Sequence, residues 1–355
     1  MPDVSLRQVL VPLEIDPTPA PPGSRLLAVS GTAMGTGWSA RLVLPAGASF
    51  DAQAALQAEL DLVVAQMSHW APDSLLARYN RAPAGSWHDL PAQFFEVIDY
   101  ALAVQHASGG AYDPAAGALV NAWGFGPAGR YDQAGFYAPA PQAVAAVMAR
   151  RRTGHPVLDR DRRRLLQPGG ALLDLSAVAK GYAVDLMARQ LERHGVRHYL
   201  VEAGGELRGA GVKPDGQPWW VEIEGVPDAA ADTADTAGAQ AQAGARPLLA
   251  LHGLAVATSG DYRRFYRQQA GKRISHTLDP RSGQPIANGV ASTTVIAATC
   301  MAADALSTAL TVLGPQAGLA MAERDGIAAR FLLRGDAPAT ALTEMTSSAW
   351  RALLQ

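Results

Sequence analysis

The spacing of hydrophobic and polar residues predicts an alternation of helices and strands along most of the chain. Apolar residues that recur every three or four positions are typical of a helix with one face turned to the core. This pattern predicts helices at 51–67, 91–108, 141–152, 176–195 and 301–314. Asp51 is expected to cap the first helix, and Gly109, Gly110 and Gly314 are residues of the type that ends helices.

Shorter stretches with alternating or β-branched residues predict strands between the helices. Residues 26–44 alternate around a glycine-rich centre, as a hairpin does, and 291–298 form a predicted buried strand. Further strands are predicted at 171–175, 219–225 and 247–253, and at 198–211 as two strands joined by a glycine turn. Together these elements predict an α+β fold with mixed sheets and packed helices.

Length and composition fit either one large domain or two interlocked ones. With 355 residues, of which 48% are hydrophobic and 17% charged, the chain can bury a large core. Residues 1–24, which include a proline-rich piece, are expected to form an extended N-terminal segment, and 25–350 the functional domain. Residues 227–246 are rich in Ala, Asp, Thr and Gly, and predict a flexible insertion within that domain.

Charge and cysteine content argue against several kinds of protein. The 30 basic and 32 acidic residues leave a formal charge of −2, which indicates neither a nucleic-acid surface nor a basic membrane patch. Cys300 is the only cysteine, so no intramolecular disulfide is expected, and its apolar neighbours predict a buried, inert thiol. No leader pattern is present and no apolar run approaches the ~20 residues of a membrane span, so we expect a cytoplasmic protein without a transmembrane segment.

Candidate chemistry is concentrated between His276 and Thr308. The residues DPRSG at 279–283 predict a tight turn shortly after His276. Asp304 and Thr308 are four apart on a predicted helix, so their oxygens lie on one face and suit a hard cation such as Mg²⁺. The same spacing also fits a carboxylate that bonds locally beside a half-buried threonine.

The stretch from His276 reads H-x-x-D-P-x-[ST]-G-x-P, then a strand, then A-D-A-x-x-T, and this pattern resembles the FAD:protein FMN transferase family. Six further blocks of that family recur in order along the chain. They are GTAMGT (31–36), MSHWAPDSLLARYN (67–80), AYDPAAGALVNAWGFG (111–126), LDLSAVAKGYAVD (173–185), EAGGELRG (202–209) and ATSGDY (257–262). The resemblance implies an ApbE-like α+β fold of two interlocked subdomains, with the flavin site in a cleft between them.

The resemblance also implies which residues form the site. The residues that match FAD-contacting positions are Met34, Trp70, Ala71, Pro72, Ala111, Tyr112, Asp113, Asp174, Lys180 and His276. The residues that match the Mg²⁺ ligands are Ala177, through its carbonyl, Asp304 and Thr308. Taken without the family, Trp70 fits a core aromatic, Asp113 a turn former and Lys180 a surface lysine. Trp123 is expected in the core, and Asp261, in a predicted polar turn at 259–261, is a supporting candidate.

By resemblance, the protein is a transferase that moves FMN from FAD to a Thr or Ser hydroxyl of an acceptor flavoprotein and releases AMP. Mg²⁺ would offset phosphate charge, and His276 would accept the hydroxyl proton. A structural, hydrogen-bonded role for His276 is the alternative at that position. Two other functions stay open, namely an FAD pyrophosphatase that uses water as the acceptor and a non-catalytic FAD-binding protein.

Overall fold

The computed structural model of the protein describes residues 8–16, 18–227, 242–243, 246–268, 273–335 and 342–355. The predicted flexible insertion at 227–246 therefore lies largely outside the described residues. Within the predicted N-terminal segment, Val9–Leu10 forms a strand that pairs in parallel with Leu248–Leu251, and Leu10 is fully buried.

The helices and strands alternate along the chain. The strands are β1 Val9–Leu10, β2 Arg25–Ala33, β3 Thr36–Leu44, β4 Trp87–Asp89, β5 Val157–Asp159, β6 Arg164–Leu166, β7 Tyr199–Ala203, β8 Glu206–Ala210, β9 Trp219–Glu222, β10 Val226–Pro227, β11 Gln242–Ala243, β12 Leu248–Leu251, β13 Leu254–Gly260, β14 Phe265–Arg267, β15 Arg273–Ser275, β16 Leu278–Asp279, β17 Gln284–Pro285, β18 Val290–Ala297, β19 Ala328–Leu333 and β20 Thr343–Thr346. The helices are α1 Ala52–Met67, α2 Leu75–Asn80, α3 Ala92–Ala107, α4 Gly117–Ala122, α5 Pro141–Thr153, α6 Ala179–Arg193, α7 Cys300–Asp325 and α8 Ser348–Arg351.

A large antiparallel sheet runs through the molecule in the order β2-β3-β7-β8-β13-β18-β19-β20. The hairpin predicted at 26–44 is its β2–β3 pair, and the strands predicted around the 204–205 glycine turn are β7 and β8. The stretch predicted as a buried strand at 291–298 is β18, which is buried along nearly its whole length. These strand predictions are confirmed.

Side chains alternate between the two faces of this sheet, as the pleat requires. On β3, Leu42 and Leu44 join the core formed with α1, α6 and α7, whereas Val43 points to the opposite core. That opposite core is closed by the small sheet β1-β12-β9 and by α8, whose Trp350 is fully buried. The large sheet is therefore covered on both faces, by α1, α6 and α7 on one and by the small sheet and α8 on the other.

The predicted helices are present, with small shifts at their ends. Asp51 caps α1 by accepting the N–H of Ala54 at 3.0 Å, as expected. The helix predicted at 301–314 is α7, and its first segment ends as predicted at Gly314, where φ is 82°. A second helical segment follows from Pro315 to Asp325.

By length and composition, α7 is the one helix among the described residues that could cross a bilayer. It packs against α6 on one side and against β13 and β18 on the other, and its residues contribute to two of the hydrophobic cores. This core packing accounts for its apolar composition without a membrane.

Two local predictions are wrong. Residues 171–175 are not a strand, because the Asn80 side chain binds both the N–H and the carbonyl of Leu173, and the N–H of Asp174 donates to Pro114; only Leu172 forms a β-bridge, to Ala116. The polar turn predicted at 259–261 is also shifted. Ser259 and Gly260 belong to β13, and the turn begins at Asp261.

Candidate active site

Three adjoining cavities form a cleft beside α6 and α7. The polar cavity, of ≈ 400 Å³, is lined by His276, Asp304, Thr308 and Lys180 among others. The wide cavity, of ≈ 850 Å³, contains Met34 and Trp70. The side cavity, of ≈ 370 Å³, reaches Pro72 and Asp174. Each residue that matches an FAD-contacting or Mg²⁺-ligand position lines at least one of the three, so the fold brings the dispersed sequence blocks together.

His276 lies between β15 and β16, on the wall of the polar cavity. Its Nδ1 is 2.8 Å from the carbonyl oxygen of Arg264, and its backbone N–H donates to the same oxygen at 3.1 Å. Burial lowers the pKa of His276 to about 4, so the imidazole is neutral near pH 7. A neutral ring that donates from Nδ1 leaves Nε2 with a free lone pair, which is the state a general base needs.

Asp304 and Thr308 lie one turn apart on α7, as their spacing predicted. Asp304 is buried and accepts the N–H of Gly181 at 2.9 Å, and the Thr308 hydroxyl is 2.8 Å from that of Ser259. Ala177, just before α6, lines the same cavity. Burial raises the pKa of Asp304, which a bound cation would oppose.

This oxygen set fits Mg²⁺ by the chemistry of its donors. Mg²⁺ takes oxygen ligands, usually from one or two carboxylates with waters and substrate phosphates, rather than a full protein cage. One carboxylate, one hydroxyl and one carbonyl answer that description. The described residues contain no cluster of three or more His, Cys, Asp or Glu side chains that could hold a metal ion.

Lys180 stands in the first turn of α6 and pairs with Glu206 of β8. Burial opposes the charged form of Lys180, but the carboxylates of Glu206 and Asp304 outweigh it and raise its pKa. Glu206 is 3% exposed, and its Oε2 has no hydrogen-bond partner among the described residues. Burial raises the pKa of Glu206 to about 7, so this carboxyl group holds a proton more readily than an exposed one.

The 111–113 loop forms the facing wall of the polar cavity. Tyr112 is buried, its hydroxyl has no partner in the part of the chain that the structure describes, and burial raises its pKa. The Asp113 carboxylate binds groups of the protein itself, because it pairs with Arg151 and accepts the N–H of Ala115 at 2.8 Å. Arg151 also donates to the carbonyl of Pro280 at 2.7 Å, which ties this loop to the turn after His276.

The wide cavity is bounded by the β2–β3 turn and by the 68–72 loop. Met34 adopts a left-handed conformation, φ 52°, at the tip of the hairpin. Trp70 is 44% exposed, so its ring is not a core aromatic. The Ser68 hydroxyl accepts the N–H groups of Trp70 and Ala71 at 3.2 and 3.3 Å, which fixes the loop.

Other predicted residues have structural roles. Trp123 is buried, as expected, and its Nε1 donates to the carbonyl of Gly283 at 2.9 Å. Asp261 does not line the three cavities and instead binds Arg334, at 2.8 Å. The Cys300 thiol is buried, and burial raises its pKa, in line with the inert thiol that was predicted.

A family model described as the ApbE family matches residues 34–331, which is most of the chain. The chain belongs to the ApbE family. A FAD:protein FMN transferase from Klebsiella pneumoniae (strain 342) is 35% identical over 321 residues, with coverage of 89% of this chain and 87% of the relative. Another, from Vibrio cholerae serotype O1, is 35% identical over 313 residues and covers 87% of each chain.

Solved structures of ApbE proteins share the fold. The apo form of the Pseudomonas stutzeri flavinyl transferase ApbE superposes with a TM-score of 0.79 at 37% identity, covering 93% of this chain and 97% of that one. The flavin transferase ApbE from Vibrio cholerae has a TM-score of 0.79 at 32% identity and covers 93% and 100%. The predicted resemblance and the α+β fold are confirmed, and the protein is a transferase.

Sequence reasoning about this ApbE-family chain missed several cleft residues. Glu206 and Arg264 line the polar cavity, and His69 lines the wide and side cavities with its Nδ1 3.4 Å from Asp174. His69 and Glu206 stand inside quoted blocks, so their position was the available signal. Arg264 lies two residues beyond the ATSGDY block, and no pattern pointed to it.

Proposed function

We propose that this protein is a Mg²⁺-dependent FAD:protein FMN transferase that esterifies a Thr or Ser hydroxyl of an acceptor flavoprotein with the FMN phosphate of FAD. The supporting observation is the meeting, in one polar cavity, of a neutral His276 with the oxygen set of Asp304, Thr308 and Ala177. A base for a hydroxyl and a place for a phosphate-binding cation are the two requirements of this reaction.

The proposed step forms one P–O bond and breaks another at the same phosphorus. The acceptor oxygen attacks the FMN-side phosphorus of the FAD anhydride, a new P–O bond forms, and the bond from that phosphorus to the bridging oxygen breaks. AMP leaves with the bridging oxygen and its electron pair. The hydroxyl proton passes to Nε2 of His276, while the Nδ1 contact with the Arg264 carbonyl keeps the ring oriented.

The other cleft residues would bind and orient the substrate. Asp304, Thr308 and the Ala177 carbonyl would hold Mg²⁺, which supplies positive charge for the pyrophosphate oxygens. Lys180, held by Glu206, adds a second positive charge on the same wall. Met34 and Trp70 offer apolar and aromatic surface in the wide cavity, which suits a flat ring system.

The test combines FAD, Mg²⁺ and an acceptor flavoprotein, with AMP measured by chromatography and covalent flavin measured by in-gel fluorescence. His276→Gln keeps a polar side chain of similar size but removes the base, so we expect transfer to fall by about 10²- to 10⁴-fold while FAD binding persists. His106→Gln is the matched control, since His106 is exposed and lies outside the cleft.

The outcomes separate the competing functions. AMP release that requires the acceptor supports transfer, and equal AMP release without any acceptor would instead support an FAD pyrophosphatase. Full activity in His276→Gln would remove His276 from the mechanism. FAD binding without turnover under any of these conditions would leave a binding protein.

A further inference from the structure

Arg264 differs from other cationic side chains of the cleft because its guanidinium has no ion-pair partner among the described residues. Lys180 pairs with Glu206, Arg130 pairs with Asp132, and Arg263 binds Glu224 at 2.8 Å. The guanidinium of Arg264, in contrast, has no ion pair or hydrogen bond with the part of the chain that the structure describes. Its positive charge therefore remains available to a ligand.

Aromatic rings hold this guanidinium in place. Its central carbon lies 5.7 Å from the centroid of the Trp70 ring, 5.8 Å from that of Tyr131 and 6.0 Å from that of Phe125. Ring contacts of this kind attract the cation without using its N–H donors. All five donors are left for hydrogen bonds to an anion, in a planar arrangement that matches two oxygens of a phosphate.

The position of Arg264 is equally specific. It lines both the polar and the wide cavity, as only Ser176 and Lys180 do besides it among the described residues. Its own carbonyl oxygen is the acceptor that anchors His276. A ligand that extends from one cavity to the other passes this side chain, close to the proposed base.

We propose that Arg264 binds the pyrophosphate of FAD by a bidentate contact, and so positions the anhydride beside His276. This inference rests on the proposed function, because it takes FAD as the substrate. It predicts that Arg264 distinguishes flavins with a pyrophosphate from flavins without one, since the contact involves phosphate oxygens and not the ring.

The experiment measures the dissociation constants of FAD and riboflavin by flavin fluorescence for wild type, Arg264→Met and Arg264→Lys. Loss of a charged hydrogen-bonding partner should weaken FAD binding by about tenfold to a hundredfold in Arg264→Met, with riboflavin binding changed by less than about threefold. Arg264→Lys keeps the positive charge but loses the planar pair of donors, so its FAD affinity should lie between those of wild type and Arg264→Met. Arg267→Met is the matched control, because Arg267 lies on the same hairpin, packs on Phe265 and does not line the cleft.

Two results would overturn the inference while leaving the proposed function intact. One is FAD affinity in Arg264→Met equal to that of wild type. The other is an equal loss of FAD and riboflavin affinity, which would mean that Arg264 only supports the Trp70 ring. Failure of the wild-type protein to bind FAD at all would instead remove the proposed function, and this inference with it.

Discussion

Two buried carboxylates lie at the contact between α6 and α7, and their surroundings differ. Asp185, on α6, accepts the N–H groups of Cys300 and Met301 at 3.0 and 2.9 Å and the guanidinium of Arg208 at 2.6 Å. Asp304, on α7, accepts only the Gly181 N–H from the protein, at 2.9 Å, as far as the described residues extend. Each helix thus binds a carboxylate of the other, but of the two only Asp304 lines the cleft.

The difference separates a structural from a functional use of buried charge. Asp185 joins the positive N-terminal end of α7 to α6, with three donors from the protein, so it stabilises the fold. Asp304 has one donor, and burial raises its pKa, so the protein alone leaves this carboxylate poorly stabilised. The Asp304 carboxylate is therefore available to a cation. The neighbouring Lys180 and Glu206 form a separate charged pair.

The largest stability effect is expected at Asp185, the carboxylate bound by three donors of the protein. Asp185→Asn removes the buried charge that Arg208 binds at 2.6 Å and leaves Arg208 only the more distant Glu192, at 3.9 Å, so it should lower the free energy of unfolding by about 3–5 kcal/mol. Urea denaturation measures this loss. Asp304→Asn is the matched variant, and because it removes a buried charge without breaking an ion pair, we expect less than about 1 kcal/mol of destabilisation. Equal losses in the two variants would contradict the distinction between the two carboxylates.

A smaller effect is expected where the two helices touch. A Cβ added at Gly181 would lie 2.2 Å from the Cys300 carbonyl oxygen and 2.8 Å from the Asp304 Cβ. Gly181→Ala must therefore separate α6 from α7, at a cost of about 1–3 kcal/mol, and should weaken Mg²⁺ binding as well. Gly37→Ala is the control, since its nearest neighbour would be 3.9 Å away. Unchanged stability in Gly181→Ala would show that the contact is not tight.

The smallest effect concerns pH. Burial lowers the pKa of His276 from 6.5 to about 4, so its contribution to stability is complete above pH 6.5 and is lost as pH falls toward 4. Between pH 7 and pH 5, wild type should lose up to about 2 kcal/mol more than His276→Gln. Urea denaturation at both pH values tests this, with His106→Gln expected to behave like wild type. Parallel losses in wild type and His276→Gln would mean that His276 titrates normally.

Local patterns predicted what depends on neighbours in sequence. The helical spacing of Asp304 and Thr308, the Asp51 cap and the end of the helix at Gly314 follow from a few consecutive residues. The strand expected at 171–175 failed because its backbone groups bind Asn80, over 90 residues earlier in the chain. Such long-range partners have no local signal.

The site shows the same limit. The family resemblance predicted that dispersed residues form one site, and they line one cleft, whereas composition and spacing alone left structural alternatives at Trp70, Asp113 and Lys180. The pairing of Lys180 with Glu206, and the unpaired state of Arg264, depend on which side chains the folded chain brings together. Those properties could not be read from the order of residues.

The proposed function requires that the Asp304 carboxylate takes a cation, whereas the Asp185 carboxylate is bound by donors of the protein itself. The most direct test is the thermal unfolding midpoint of wild type and Asp304→Asn, each with FAD, as Mg²⁺ is titrated. A ligand that binds only the folded state raises the midpoint with concentration. We predict that Mg²⁺ raises the unfolding midpoint of wild type but not that of Asp304→Asn. The same rise in both proteins, or none in wild type, would contradict it.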